Sequence, residues 1–282
     1  MPELPEVETV RRGLEERTSG FRIAKVQVCR NRAIASPDDP ATFVTGLTDC
    51  RVLGWQRRGK YLLSSLERAD GSSGGHWAVH LRMTGQFLWL EQPREPCRHT
   101  RVRLWNAEGQ ELRFQDVRSF GEMWWVPPGD DPASVIGGLK RLGPEPFSEA
   151  FSTAYLQHRL AGSNRAIKTA LLDQSLVAGV GNIYADESLF AARIRPDLSS
   201  GRLQPGQLSA LREALVEVLR TSIGAGGTTF SDFRDLSGIN GNYGGQAWVY
   251  RRSGQPCRVC GTAIQRDRLC GRSTHWCPNC QH

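Results

Sequence analysis

The sequence predicts an α+β protein. A sheet domain led in by one helix occupies the first half, a helical domain follows, and a metal-stapled hairpin closes the chain. Three observations predict this. Strand-like alternation separated by polar turns runs through the first 126 residues, helical spacing dominates from Ser148 onward, and two tight cysteine pairs stand at the C-terminal end. At 282 residues the chain is long enough for two domains with separate cores. No apolar run approaches the roughly 18 residues that span a bilayer. The N-terminus lacks the basic-then-apolar layout of a secretory signal, so a cytoplasmic protein is expected. The net charge of +7 and a pI near 9.2, with arginine far outnumbering lysine, suit a polyanionic partner. A basic protein without such a partner is the alternative.

The first element is a helix. Pro5 suits a first turn, Glu6 and Glu8 favour the positive end of a helix dipole, and Val7, Val10 and Leu14 form one apolar stripe. Ahead of it lies a chemically unusual dipeptide. Once Met1 is removed, Pro2 is the only free secondary amine in the chain. Such an amine can attack an electrophilic carbon and form an iminium ion, which is cationic without a proton and serves as an electron sink for eliminations. An α-amino group has a pKa of about 8, against about 10.4 for lysine, so more of it is unprotonated at neutral pH. Glu3 sits beside the amine and can move protons. With Met1 attached, Pro2 is an amide nitrogen and cannot do this chemistry.

Ala24–Val28 alternates as a half-buried strand, and further strand-like runs lie at Arg51–Leu66, His76–Leu90, Thr100–Trp105 and Glu111–Val126. Asn106-Ala107-Glu108-Gly109 is a hairpin turn, and Gly71-Ser72-Ser73-Gly74-Gly75 reads as a flexible surface loop. The pattern predicts a β-sandwich or barrel-like fold. Arg57-Arg58-Gly59-Lys60-Tyr61 reads as a solvated strand end or as a phosphate-binding turn in which glycine permits close backbone approach. His80-Leu81-Arg82-Met83-Thr84-Gly85 and Asp116-Val117-Arg118-Ser119-Phe120-Gly121 read, on their own, as core packing and as a strand with its turn.

Pro127-Pro128-Gly129-Asp130-Asp131-Pro132 breaks the strand pattern, and we place the domain junction between residues 130 and 148. Phe151, Tyr155, Leu156 and Leu160 share one helix face, with Ser148 as cap and Gly162 as stop. Further helices are expected over Ile167–Leu172, after Glu187, and over Gln207–Ile223. Gly179-Val180-Gly181-Asn182 puts two glycines at a helix start, where backbone N–H groups can approach an anion. The glycine-rich stretch from Gly224 to Gly245, which includes Thr228, Thr229, Asn240 and Asn242, is a linker or a functional loop.

Cys257-Arg258-Val259-Cys260 and Cys277-Pro278-Asn279-Cys280 have the C-x2-C spacing of two chelating pairs. Four thiolates at this spacing close one structural zinc site, whereas disulfides suit secreted chains. Cys29, Cys50, Cys97 and Cys270 are expected to be buried small hydrophobes, and His275 a surface or packing residue.

Several of these segments together resemble one family. Pro2-Glu3-Leu4-Pro5-Glu6-Val7-Glu8-Thr9-Val10, the R-R-G-K-Y segment, the H-L-x-M and D-x-R-x-F-G segments, Asp173–Glu187, Gly271-Arg272-Ser273-Thr274 and the four cysteines are similar to the formamidopyrimidine-DNA glycosylases. These are bifunctional enzymes that excise oxidised purines and then nick the strand. The resemblance covers nearly the whole chain. It implies Pro2 as nucleophile, Glu3 as proton carrier, and Lys60 at a DNA phosphate near the lesion. His80 is counted among the DNA contacts. Met83, Arg118 and Phe120 are implied to fill the hole left by an extruded base, an apolar and cationic set suited to that purpose. Asn182 and Arg272 are implied to hold phosphates, Glu6 and Glu187 to be supporting carboxylates, and the segment around Gly179 to be a helix–two-turn–helix. The 224–247 loop is implied to cover the flipped base.

The expected organisation is therefore a catalytic β-sandwich domain over 1–130 and a linker over 131–147. A helix–two-turn–helix domain follows over 148–247, then a zinc finger over 248–282. The expected partner is double-stranded DNA with oxidised bases or abasic sites, bound by a monomer in the cleft between the two halves. Two other readings are an endonuclease VIII-like enzyme for oxidised pyrimidines and a non-catalytic zinc-finger DNA-binding protein.

Overall fold

The first helix, α1 (Leu4–Thr18), begins where the sequence places it. Pro5 takes the first turn, where its missing N–H breaks no bond, and the Glu6 carboxylate accepts from the Glu3 backbone N–H at 2.8 Å. Val7, Val10 and Leu14 are fully buried beneath it. The structure, a computed structural model, describes residues 2–228, 236 and 241–282. Its chain divides into two compact units, Met1–Lys140 with Gly226–Gly241, and Arg141–Ala225 with Asn242–His282.

In the first unit, α1 is followed by β1 (Lys25–Val28), β2 (Ile34–Ser36), α2 (Pro40–Leu47), β3 (Arg51–Arg58) and β4 (Tyr61–Glu67). Next come β5 (Ser73–His80), β6 (Gly85–Leu90), β7 (Thr100–Trp105), β8 (Glu111–Asp116) and β9 (Glu122–Val126). The short helices α3 (Pro132–Val135) and α4 (Gly137–Lys140) end the segment. The strands form a sandwich of two sheets, ordered β1-β7-β8-β6 and β2-β9-β5-β4-β3. One core joins their inner faces to α1 and α2. It includes Val102, Leu112 and Phe87 from one sheet and Val52, Leu62 and Trp77 from the other. Trp77 and Phe87 meet edge to face across the layers, with centroids 6.1 Å apart.

Three of the long strand-like runs are each two strands. Their turns fall at Gly59 (φ +56°), Arg82 (φ +52°) and Ser119 (φ +56°). At the last two, a residue with a side chain takes the left-handed conformation. The left-handed residue there is not the glycine that usually marks such a turn, so alternation alone does not place the break between the strands. Helix α2 has its signal in Asp39-Pro40: the Asp39 side chain accepts from the N–H groups of Ala41 and Thr42.

The expected surface loop at 71–75 is largely the start of β5. A Cβ on Gly75 (φ +83°) would lie 2.1 Å from the Val126 carbonyl oxygen, and one on Gly74 would lie 2.9 Å from Cys50 Sγ. These glycines serve close strand packing. Of the scattered cysteines only Cys50 is buried, while Cys29, Cys97 and Cys270 are exposed.

The second unit contains α5 (Thr153–Leu160), α6 (Ile167–Leu171), α7 (Asn182–Ala191) and α8 (Pro205–Gly224). It ends with the antiparallel hairpin β10 (Gln265–Leu269) and β11 (Arg272–Trp276). Ser152, not Ser148, caps α5, accepting from the Tyr155 N–H at 3.1 Å. Helix α7 starts at Asn182, inside the glycine-containing segment and not after it. Ile183 through Phe190 are all buried, so α7 is the central helix of its unit, packed on α8 and β11. Among the described residues no helix is long and apolar enough to cross a membrane.

Candidate functional site

The start of the chain is held within the fold. Pro2, Glu3 and Glu6 are all buried. Glu6 uses one carboxylate oxygen for the Glu3 N–H. The other accepts from the Thr228 N–H at 2.8 Å and from the Thr228 hydroxyl at 2.9 Å. Gly227 (φ +80°) passes so close that a Cβ would lie 3.0 Å from Glu6. Glu6 thus ties α1 to the root of the glycine-rich stretch. Of that stretch, residues 229–235 and 237–240, Thr229 and Asn240 among them, lie outside the described residues, as does Met1.

Two residues further on, Glu8 faces Arg11, Arg12 and Arg57. Burial pushes its carboxyl up, but the guanidinium groups outweigh that and hold it below the usual carboxylate range. Arg57 also donates to the Gly59 carbonyl at 3.0 Å. The first arginine of the R-R-G-K segment therefore joins α1 to the turn that presents Lys60.

Lys60 is buried, and Tyr61 beside it pairs across the sheet with His80, the rings meeting edge to face at 4.6 Å. His80 Nδ1 accepts from the Arg82 N–H at 3.0 Å, which leaves the ring proton on Nε2. Burial, then the charges of Arg82 and Lys60, push the His80 pKa down to about 3. His80 is therefore a neutral support for the turn that carries Met83.

That turn and the one after β8 bring three of the expected residues together in the open. Met83 and Phe120 are 37% and 41% exposed, large for apolar side chains without cover. The Arg118 guanidinium lies 3.1 Å from Met83 Sδ and 4.9 Å from the Phe120 ring centroid. Two apolar tips bracketing one cation are the chemistry needed to occupy a gap in a base stack.

In the second unit, the Asn182 amide donates to the Ser273 carbonyl at 2.9 Å, placing it beside the turn that carries the exposed Arg272. Gly179 (φ +86°) has the backbone that a tight turn demands, but its N–H donates to Gln174 Oε1 at 2.9 Å. Gln174 also donates to the Val180 carbonyl, so this loop is closed by a side chain. Glu187 is fully buried, with its oxygens on the N–H groups of Trp248, Val249 and Tyr250. Burial pushes its carboxyl up against the pull of those three donors. Within its own unit, then, Glu187 holds the chain that leads into the cysteine hairpin.

Sequence reasoning missed a buried ion network. Lys168 Nζ lies 2.6 Å from Asp186 Oδ1 and donates to the Ser273 carbonyl at 2.7 Å and to Thr274 Oγ1 at 2.9 Å. Asp186 Oδ2 accepts from the His275 N–H at 2.9 Å and lies 3.2 Å from its Nδ1. His275 is therefore buried and is neither a surface residue nor a metal ligand. The network fixes the Arg272–His275 strand to α6 and α7. Its only sequence signal is a lone lysine among apolar residues, which ordinarily snorkels to solvent.

The Sγ atoms of Cys257, Cys260, Cys277 and Cys280 all lie within 4.8 Å of one another. The Cys260–Cys277 and Cys257–Cys280 separations are 3.5 Å and 3.9 Å. Tetrahedral Zn–S bonds of about 2.3 Å put the sulfurs about 3.8 Å apart, so the set fits one closed, structural zinc ion. Cys270 and His275 are not in the cluster. Cys257 and Cys277 share a small core with Phe190, Val249 and Ile264, so the metal staple and the end of α7 form one body.

Comparison with known proteins finds three matches along the chain. Residues 1–123 match the formamidopyrimidine-DNA glycosylase N-terminal domain, and 142–234 match the formamidopyrimidine-DNA glycosylase H2TH domain. Residues 254–282 match a zinc finger found in FPG and IleRS. The chain is 69% identical over 281 residues to a formamidopyrimidine-DNA glycosylase of Parasynechococcus marenigrum (strain WH8102), covering 100% of both. A Lactococcus lactis FPG mutant in complex with Fapy-dG-containing DNA superposes with a TM-score of 0.89 at 33% identity, covering 100% of both chains. The MutM (FPG) protein of Thermus thermophilus gives a TM-score of 0.86 at 41% identity, covering 99% of this chain and 98% of that one.

Two outcomes follow from the geometry. Lys168→Met leaves the Asp186 carboxylate buried without its cation and costs about 3–5 kcal/mol, measured by denaturant unfolding. A change under about 1 kcal/mol would show the pair to be dispensable. The His80 shift also fixes a pH dependence. The unfolded imidazole takes up a proton below about pH 6.5, but the folded one does not until about pH 3. This contribution is therefore intact above pH 6.5 and is lost as pH falls towards 3. Between pH 6.5 and 4 the melting temperature of the wild type should fall more steeply than that of His80→Gln. Parallel profiles would show that His80 is not held neutral.

Proposed function

The chain belongs to the formamidopyrimidine-DNA glycosylase family, and from that premise we propose that it excises oxidised purines from duplex DNA and then cleaves the strand. The observation that carries this reading is the buried Pro2-Glu3 pair, pinned at the head of α1 by Glu6. The same sandwich unit exposes the Met83, Arg118 and Phe120 set.

Met83, Phe120 and Arg118 enter the stack as the damaged nucleotide leaves it, with Arg118 facing the orphaned base. After removal of Met1, the Pro2 nitrogen attacks C1′ of the sugar and the glycosidic C–N bond breaks, its electrons leaving with the base. Glu3 protonates the ring oxygen as the sugar opens, which gives a Pro2 iminium. The iminium acidifies the C2′ hydrogen. Loss of that proton expels the 3′ phosphate by β-elimination, and a second elimination expels the 5′ phosphate. Lys60 neutralises a phosphate near the lesion, and Asn182 and Arg272 hold the backbone on the helical side. The iminium mechanism needs no metal, so the zinc ion serves the fold of the hairpin that presents Arg272. The enzyme works as a cytoplasmic monomer on duplex DNA carrying oxidised bases or abasic sites.

Excision assays test the reading. Duplexes carrying 8-oxoguanine opposite cytosine should be processed to a strand break with both flanking phosphates retained on the ends, and in preference to duplexes carrying thymine glycol. Pro2→Gly should lose most of this activity. Preference for thymine glycol would contradict the substrate assignment, and full activity of Pro2→Gly would contradict the chemistry.

A further inference from the structure

We propose that Asp116 and Thr84 are positioning residues for base extrusion: together they clamp the two wedge-bearing turns into one pre-ordered unit. The proposal rests on the wedge role assigned above to Met83, Arg118 and Phe120.

The two turns leave the same end of one sheet. Gly85, the first residue of β6, pairs with Asp116, the last of β8, so residues 81–84 and 117–121 are neighbours by register. Asp116 is buried while the side chains of Arg118 and Phe120 stand exposed. Its Oδ1 accepts from the Arg118 N–H at 3.1 Å and from the Thr84 hydroxyl in a short contact. Its Oδ2 accepts from the Gly121 N–H at 2.6 Å. One carboxylate thus grips the turn on both sides of Phe120.

Thr84 completes the link. Its Oγ1 donates to Asp116 and accepts from the same Arg118 N–H at 3.0 Å. The residue directly after Met83 is thereby bonded to the residue that carries the inserting cation. Other groups brace the pair from behind. Arg101 donates to the Asp116 carbonyl at 2.9 Å, and Arg32 donates to the carbonyl of Ser119 at 3.2 Å. Gly121 leaves no room for a side chain, since a Cβ there would lie 2.6 Å from Phe114 and 3.0 Å from Asp116 Oδ2.

The physical consequence is kinetic. An exposed wedge on a loose turn must be ordered at the moment it enters the stack, and that ordering raises the barrier to extrusion. A clamp formed before DNA arrives removes the ordering from the insertion step. It has little to offer a nucleotide that has no base to expel. The clamp therefore separates two substrates that share the same nucleophile.

Single-turnover kinetics on both substrates test it, with 2-aminopurine next to the lesion reporting extrusion. Asp116→Asn replaces one acceptor oxygen with a donor facing an N–H, and Thr84→Val removes the bridging hydroxyl while keeping the shape. Each should slow extrusion and excision of 8-oxoguanine paired with cytosine by about tenfold, the effect of losing one hydrogen bond to a charged group. Strand cleavage at a preformed abasic site should change by less than about threefold. Thr84→Ser should restore the wild-type rate. Should Asp116→Asn fail to fold, the Thr84 pair decides the matter.

Wild-type excision by Thr84→Val would overturn the clamp, as would equal losses on both substrates that serine does not rescue. Met83→Ala and Phe120→Ala separate this failure from that of the underlying reading. If those two slow extrusion while Thr84→Val does not, the wedge assignment stands and the clamp falls. If neither slows extrusion, both fall.

Discussion

One buried carboxylate governs the N-terminal unit. A chain end is ordinarily the least ordered part of a domain, and an amine that must reach a sugar carbon cannot be. Glu6 answers this by accepting from the Glu3 N–H on one oxygen and from the Thr228 N–H and hydroxyl on the other. These bonds compensate the cost of taking the group out of water. They also make the position of the first residues and the root of the glycine-rich stretch two ends of one interaction. Any rearrangement of the Gly226–Thr228 segment is felt at the head of α1, and the reverse.

The same device recurs away from the nucleophile. In the helical unit, Asp186 holds Lys168 on one oxygen and the His275 backbone on the other, while Glu187 beside it takes three consecutive N–H groups at 248–250. Adjacent residues of α7 thereby fix the strand behind Arg272 and the segment leading into the cysteine hairpin. The zinc ion closes what these carboxylates begin. A hairpin of two five-residue strands has too little apolar surface for a core of its own, and the thiolates supply what packing cannot. Across both units, exposed arginines stand on scaffolds braced by buried anions. Arg118 is hung from Asp116 and Arg272 from the Asp186 network.

Much of this was legible in the sequence, for identifiable reasons. The α1 stripe of Val7, Val10 and Leu14 and the cysteine spacing are periodic signals that tertiary context did not override. The grouping of Met83 with Arg118 and Phe120 came from resemblance, since nothing in the local pattern says that two turns 35 residues apart will meet. What was not legible depends on long-range partners. Glu6 was named as a supporting carboxylate, but its Thr228 partner lies 222 residues on. Lys168 and Asp186 look like ordinary helix residues until their burial is known. The breaks at Arg82 and Ser119 fell inside single strand-like runs because residues with side chains there take a conformation usually left to glycine or asparagine. Ser148 looked like the cap of α5 because both it and Ser152 precede the helical run, and only the bond to Tyr155 distinguishes them.

In the chemistry proposed above, a nitrogen at the head of α1 becomes covalently bound to the sugar of the damaged nucleotide. Borohydride reduction during turnover on 8-oxoguanine duplex, followed by proteolysis and mass spectrometry of the protein–DNA adduct, can trap that bond. A reduced adduct is expected on the N-terminal peptide, localised to Pro2 in molecules that have lost Met1. An adduct on a lysine, or no adduct while excision proceeds, would contradict that chemistry.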